Sequence, residues 1–277
     1  MDQNRKVMLM KQVFEQDIRT NDRQSSKGNQ LKWKNGHTWY KADYTGYEGL
    51  AEYMVSHLLQ YSDLEKKNYV LYNTEEISYG QVIYKGCSSM NFLPKGWQLI
   101  TLERLFQSYY GESLNKCIYS LREVEDRVRF TVEQTIRITG LQEFGKYMSM
   151  LLTVDALFLN EDRHTYNIAV LLDSVGGFHY CPVFDNGSAL LSDVTMDYPM
   201  GVDLETLIDK PKAKTFCTDF DEQLEAAKKQ YGYQLHFSFG RKEIEELLAK
   251  EEYYTDDVKQ RVLTLLLWQR RKYAYLF

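Results

Sequence analysis

Residues 162–187 constrain the fold most tightly. A polar stretch, Asp162-Arg163-His164-Thr165-Tyr166-Asn167, leads into the apolar, β-prone Ile168-Ala169-Val170-Leu171-Leu172. Asp173-Ser174-Val175-Gly176-Gly177 then supplies turn chemistry, because its glycines tolerate positive φ, and Phe178 to Phe184 reads as the partner strand. A hairpin centred near Val175 and Gly176 sets Asn167 opposite Phe184. Asn167 and Asp185 then emerge together at the open end, one strand spacing (roughly 5 Å) apart. Two hard oxygen ligands at that spacing suit a Mg²⁺ that bridges the phosphates of ATP, with Asp162 beside them as a proton acceptor.

The rest of the chain has room for such a site and few competing ones. At 277 residues it accommodates one large domain or a small lobe and a larger one, with a substantial core. The net charge of −5 argues against a dominant nucleic-acid surface. Cys87, Cys117, Cys181 and Cys217 are far apart and form no paired metal spacing, which fits isolated reduced thiols in a cytoplasmic protein. His37, His57, His164, His179 and His236 are equally scattered, so no zinc site is expected. Charges interrupt every longer apolar stretch, and the apolar run after Met1 to Lys6 is short. Neither a signal peptide nor a membrane span is expected.

The composition shifts near residue 95, with strands before it and helices after it. Leu31 to Lys34 and His37 to Ala42 flank Asn35-Gly36, a dipeptide suited to a type I′ hairpin turn. Ala51, Met54, Val55, Leu58 and Leu59 share one face of a helix expected from Tyr47 to Gln60. Further strands are expected at Tyr69 to Asn73 and Gln81 to Tyr84. Pro94-Lys95-Gly96 reads as a connector, followed by helices at Thr101 to Tyr110, Leu121 to Thr139 and Gln142 to Leu159. Ser188 to Phe216 has little periodicity, and Pro199, Gly201 and Pro211 mark it as a long loop of the kind that carries function. Three more helices follow, at Asp221 to Tyr231, Arg241 to Glu251 and Asp256 to Tyr275. The expected fold is α+β and two-lobed: a small strand-rich lobe over residues 1–93 and a mostly helical lobe over residues 94–277.

The Asp-Arg-His-x-x-Asn loop, the hairpin and the Asp-x-Gly that closes it resemble the catalytic and metal-binding segments of HipA-like bacterial serine/threonine kinases, within the broader phosphatidylinositol 3-kinase-like superfamily. Asp155 ahead of Asn160 and Asp162, and Pro182-Val183-Phe184-Asp185 leading into the loop, extend the match. The resemblance implies a protein-kinase-like fold, with ATP and Mg²⁺ as cofactors. Asp162 would orient or deprotonate the acceptor hydroxyl, while Asn167 and Asp185 would hold Mg²⁺. Turn capping is the simpler role open to Asp162 and Asn167. His164 would stabilise developing phosphate charge, and a packing histidine fits it equally well.

By the same resemblance the strand-rich lobe carries a phosphate-binding lysine. Lys41 suits the role, on the second strand of the Asn-Gly hairpin and on the same face as Trp39. Glu52, on the following helix, is its expected ion-pair partner, and Glu48 one turn earlier competes for that place. Glu48 equally suits the positive amino terminus of the helix. There is no Gly-x-Gly-x-x-Gly segment. Instead Ser25-Ser26-Lys27-Gly28 precedes the hairpin, where the backbone at Ser26 and Gly28 would cover the phosphates and Ser25 or Ser26 would be the site of regulatory autophosphorylation. The adenine contact is expected within Gly86 to Phe92. Only forty residues precede Lys41, so the additional amino-terminal subdomain of the larger toxins is expected to be absent or supplied by another chain.

Three functions fit these residues. The first is an ATP- and Mg²⁺-dependent serine/threonine protein kinase, acting on a protein such as a translation factor and on itself, with a separate regulatory or antitoxin chain as partner. The second is a lipid or small-molecule kinase. Asp193, Asp197, Asp203, Glu205 and Asp209 make the long loop acidic, which disfavours an anionic membrane. The third is a nucleotide-binding module without transfer, against which the joint presence of Lys41, Asp162, Asn167 and Asp185 argues.

Overall fold

The computed structural model describes residues 11–18, 30–232 and 235–277. Its amino-terminal region is a five-stranded sheet in the order β1-β4-β5-β3-β2, built from β1 (Lys11–Val13), β2 (Lys32–Asn35), β3 (Thr38–Ala42), β4 (Tyr72–Tyr79) and β5 (Val82–Met90). β1 runs parallel to β4, and the other pairs are antiparallel. Trp33 is fully buried and packs with Val13, Ala42 and Ile77 into a small core on this sheet.

The first hairpin forms where the sequence predicts it, with its turn shifted by one residue. Asn35 pairs with Thr38, so Gly36 and His37 are the central residues. Gly36 has φ 58°, and His37 is not among the residues with positive φ. A type I′ turn needs positive φ at both central positions, so the Asn35-Gly36 assignment is corrected to a turn with positive φ only at its first central residue. The second hairpin is longer than expected. Thr74, Glu75, Glu76 and Ser78 extend β4 well past Asn73, because a sheet with one solvated face takes polar residues that an apolar count overlooks. β5 likewise runs past Tyr84 to Met90, so most of Gly86 to Phe92, where the adenine contact is expected, is strand.

Between the hairpins lies α1 (Glu48–Leu58), which ends in a 3₁₀ turn at Leu59–Tyr61. Leu50, Met54, Val55 and Leu58 are fully buried in the main core, together with the helices of the carboxy-terminal region. After the connector comes β6 (Gln98–Thr101), a strand the sequence reading did not anticipate. The helices that follow are α2 (Leu102–Tyr110), α3 (Leu114–Ser120), α4 (Val124–Thr139) and α5 (Phe144–Phe158). Thr101 caps α2 through a hydrogen bond accepted from Arg104 N, and Ser113 caps α3 through one from Lys116 N. The short α3 occupies a stretch that the expected Leu121 to Thr139 helix left unassigned. α5 is apolar on nearly all sides and runs through the core, with Met148, Leu152, Val154 and Phe158 fully buried.

β7 (Ala169–Leu172) and β8 (Phe178–Tyr180) form the motif hairpin, and β6 adds to β7 to complete a three-stranded sheet. The register pairs Leu172 with Phe178 and Val170 with Tyr180, which centres the loop on Val175. Asp173 sets this length, because its Oδ1 accepts hydrogen bonds from both Val175 N and Gly177 N. Pairing stops at Tyr180. The chain then turns away, and Val183 exchanges backbone hydrogen bonds with Asn68 and Val70 of the amino-terminal region. The expected pairing of Asn167 with Phe184 therefore does not form.

Residues 188–216 contain a single short helix, α6 (Leu204–Leu207), amid turns. α7 (Phe220–Tyr231), α8 (Arg241–Lys250) and α9 (Asp256–Lys272) complete the fold, close to their expected limits. The four cysteines are free thiols. Among the described residues no helix is long and apolar enough to cross a membrane.

Candidate active site

The site is organised around a buried ion pair. Asp155, in the last turn of α5, is fully buried, and its two carboxylate oxygens lie 3.1 and 3.2 Å from Arg163 Nε. Arg163 also donates to Phe184 O (2.9 Å) and to Asn186 Oδ1 (2.7 Å), with a longer contact to Asn167 O at 3.4 Å. One guanidinium therefore joins the loop after α5 to the loop after β8. This cross-link brings the segments of Asn167 and Asp185 together, a task the sequence reading gave to the hairpin. Burial pushes the Asp155 carboxyl up to about 6 against the pull of Arg163. Burial also works against the charged Arg163, but Asp155 outweighs it and holds the guanidinium above its ordinary value.

Asp162 and Asn167 are tied within their own loop. Asn167 Nδ2 donates to Asp162 O (2.8 Å) and Asp162 Oδ2 (3.1 Å). With the amide nitrogen so used, the carbonyl oxygen Oδ1 is the atom that Asn167 offers to a cation. Turns fold the loop tightly: Asn167 N donates to His164 O (2.7 Å) and His164 N to Asp162 O (3.0 Å). His164 Nε2 lies 3.6 Å from Asp162 Oδ1, beyond hydrogen-bond range, and its Nδ1 accepts from Tyr166 N (3.2 Å).

Asp185 has φ 61°, a left-handed backbone uncommon outside glycine but tolerated by Asp and Asn. Its Oδ1 lies 2.6 Å from Lys41 Nζ, and Glu52 Oε1 lies 2.6 Å from the same nitrogen. Burial would lower the Lys41 pKa, yet the carboxylates of Asp185 and Glu52 outweigh it and hold the ammonium well above its usual value. Glu52 is itself pushed up by burial, with Lys41 pulling the other way. Its second oxygen accepts from Asn186 N (2.8 Å), so α1 grips the loop after β8 directly. Glu48, the competing partner, instead accepts from the backbone amides of Thr45 (2.7 Å) and Gly46 (3.1 Å) at the helix amino terminus. Ser25, Ser26 and Gly28 lie outside the described residues.

Asp162 and Asp185 line a cleft together with Lys32, Tyr44 and Ser188. Lys32 is a residue the sequence reading passed over. It sits directly opposite Lys41 in the β2–β3 register, and directly paired residues project from the same face of a sheet. The alternation of Lys32 and Lys34 around the buried Trp33 was the available signal.

The first part of the 188–216 segment is pinned across the cleft mouth. Gly46 bridges to Asp193, Tyr47 N donates to Ser192 O (3.1 Å), and Thr195 N donates to Thr45 O (3.0 Å). Farther along, Tyr198 OH donates to Glu161 Oε2 (2.6 Å), next to Asp162, and Arg261 Nη2 donates to Tyr198 O (3.0 Å). The approach at Gly46 admits no side chain, since an added Cβ would lie 1.9 Å from Ser192 O. Gly46→Ala is therefore expected to separate the two strips of backbone and to speed cleavage within 188–200 in limited proteolysis. Cleavage at the wild-type rate would show that the pairing does not hold the segment.

Among the described residues no group of three or more His, Cys, Asp or Glu forms a metal cage. Asn167 and Asp185 instead supply an amide oxygen and a carboxylate. That hard-oxygen set fits Mg²⁺, which takes one or two protein ligands and completes its shell with water and substrate phosphates.

No protein-family model and no curated protein matches the chain. Solved structures do. A Helicobacter pylori proinflammatory kinase, CtkA, aligns with TM-score 0.60 and 14% identity over 95% of this chain and 94% of its own. The Shewanella oneidensis MR-1 HipA, solved with HipB and operator DNA, aligns with TM-score 0.54 and 14% identity over 91% of this chain and 66% of its own. A strand-rich amino-terminal region and a helical carboxy-terminal part, arranged as in these two proteins, give the chain the fold of HipA-like kinases.

Proposed function

We propose that the protein is a kinase that uses ATP and Mg²⁺ to phosphorylate serine or threonine hydroxyls on a protein, itself included. The observation that carries this reading is the meeting of Glu52 and Asp185 at the Lys41 ammonium, with Asp185 and Asp162 lining one cleft. In this reading residues 1–93 and 94–277 act as the two lobes that enclose the nucleotide. Two of the three N–H donors of Lys41 are directed at carboxylates, and the third serves a phosphate oxygen. Asn167 Oδ1 and Asp185 would hold Mg²⁺, which when bound would neutralise phosphate charge. Asp162 accepts the proton of the acceptor hydroxyl, and the contacts from Asn167 Nδ2 keep its carboxylate oriented. His164, 3.6 Å from Asp162, is the residue assigned to stabilise developing phosphate charge.

The acceptor crosses the 188–216 segment, where Asp197, Asp203, Glu205 and Asp209 are exposed and basic residues begin only at Lys210. That surface supports a protein acceptor over an anionic lipid. By likeness to HipA, whose structure includes HipB, an antitoxin-type regulatory chain is the partner we expect, in a cytoplasmic setting, with a translation factor as one acceptor class and no direct contact to nucleic acid. A panel of proteins, phosphoinositides and sugars, incubated with the wild type and Mg-ATPγS, tests the acceptor class. Thiophosphate on protein hydroxyls supports the reading. Transfer confined to lipids or sugars replaces it with the small-molecule alternative, and nucleotide binding without any transfer reduces the protein to a binding module.

A further inference from the structure

Tyr72 opens β4 and is buried, yet it lies among the charged groups of the site. Lys41 Nζ is 5.2 Å from the centroid of its ring, within the range of a cation–π contact. Its hydroxyl is 3.4 Å from Asp185 N, the amide of the residue with left-handed φ. The backbone of Tyr72 is anchored in turn to α1: its N–H donates to Ser56 Oγ (3.1 Å), and its carbonyl faces His57 Nε2 at 3.1 Å. Glu52, one turn earlier on α1, completes the connection, since it binds Lys41 and Asn186 N. A single side chain therefore touches both Lys41 and Asp185 while its backbone is held by the helix that carries Glu52.

We propose that Tyr72 is a positioning residue that acts on two groups through separate atoms. Its ring face supports the Lys41 ammonium, and its hydroxyl oxygen accepts the Asp185 N–H and so fixes the direction of that carboxylate. Burial, and then Glu52, push the phenol far above its ordinary pKa, so the ring stays neutral beside the ammonium. The inference rests on the reading of Lys41 as a nucleotide contact and Asp185 as a metal contact.

The two halves separate by substitution. Tyr72→Phe keeps the ring and loses the acceptor, whereas Tyr72→Leu loses both. Binding of a fluorescent ATP analogue, titrated in EDTA and then with increasing Mg²⁺, reads them independently of turnover, with thermal unfolding as the check on fold. Tyr72→Phe is expected to match the wild type in EDTA but to need about five-fold more Mg²⁺ for half-maximal enhancement, the equivalent of one neutral hydrogen bond. Tyr72→Leu is expected to bind about ten-fold more weakly even in EDTA. A Tyr72→Phe protein with wild-type Mg²⁺ dependence overturns the proposal, as does one that loses affinity equally in both conditions. Failure of the underlying reading appears separately, as a wild type whose nucleotide affinity ignores Mg²⁺ before any residue is changed.

Discussion

Asp162→Asn is expected to leave the fold intact and to reduce phosphoryl transfer by about 10²- to 10⁴-fold, the range associated with a positioned general base. The substitution is nearly isosteric, and the local structure tolerates it. Asp162 accepts from Asn167 Nδ2 through its backbone carbonyl as well as its side chain, and the carbonyl bond survives. An amide cannot take up the acceptor proton, so the loss should fall on turnover and spare nucleotide binding. A folded variant with wild-type transfer would remove Asp162 from the chemistry.

The largest effect on stability is expected at Arg163. Arg163→Met removes the partner of a fully buried carboxylate and the donors to Phe184 O and Asn186 Oδ1. Breaking a buried pair from one side costs about 3–5 kcal/mol, because the remaining charge is left uncompensated. The deficit should depend on pH in a defined direction. Asp155 has a folded pKa of about 6, above its value of about 3.9 in an unfolded chain, so it binds its proton more tightly when folded. Its contribution to stability is therefore greatest below the unfolded value and falls as pH rises through about 6. Removing Arg163 takes away the positive charge that lowers that pKa and widens the window. Urea denaturation should show a smaller deficit at pH 5 than at pH 8. A loss under about 1 kcal/mol at both pH values would mean that Arg163 is not what holds the two loops.

The sequence displayed the site's chemistry more clearly than its supports. Lys41 and Glu52 were reached through the family resemblance, Lys41 as a lysine on the second strand of a hairpin and Glu52 as a carboxylate on the amphipathic helix that follows, with Glu48 competing. The carboxy-terminal helices were legible within a residue or two at most ends, since their periodicity and caps are local. β6 was not, because Gln98-Leu99-Ile100-Thr101 becomes a strand only by pairing with Val170 and its neighbours some seventy positions away. Lys32 escaped for the same reason, because its relation to Lys41 exists only in the register between two strands. The role of Arg163 as a cross-link depends on where β8 releases the chain, and Asp173 decides that by fixing the loop length through its own hydrogen bonds. Tyr72 lies far from the motif in sequence and reaches it only through the sheet.

Calorimetric titration of ATP into the wild type, with and without Mg²⁺, alongside Lys41→Met and Asp185→Asn, reads nucleotide and metal binding at this site separately. Binding is expected at one site per chain, strengthened by Mg²⁺ in the wild type. Lys41→Met should weaken binding in both conditions, and Asp185→Asn should remove the Mg²⁺ enhancement. Absence of nucleotide binding, or binding indifferent to Mg²⁺ and to both substitutions, would contradict the proposed function.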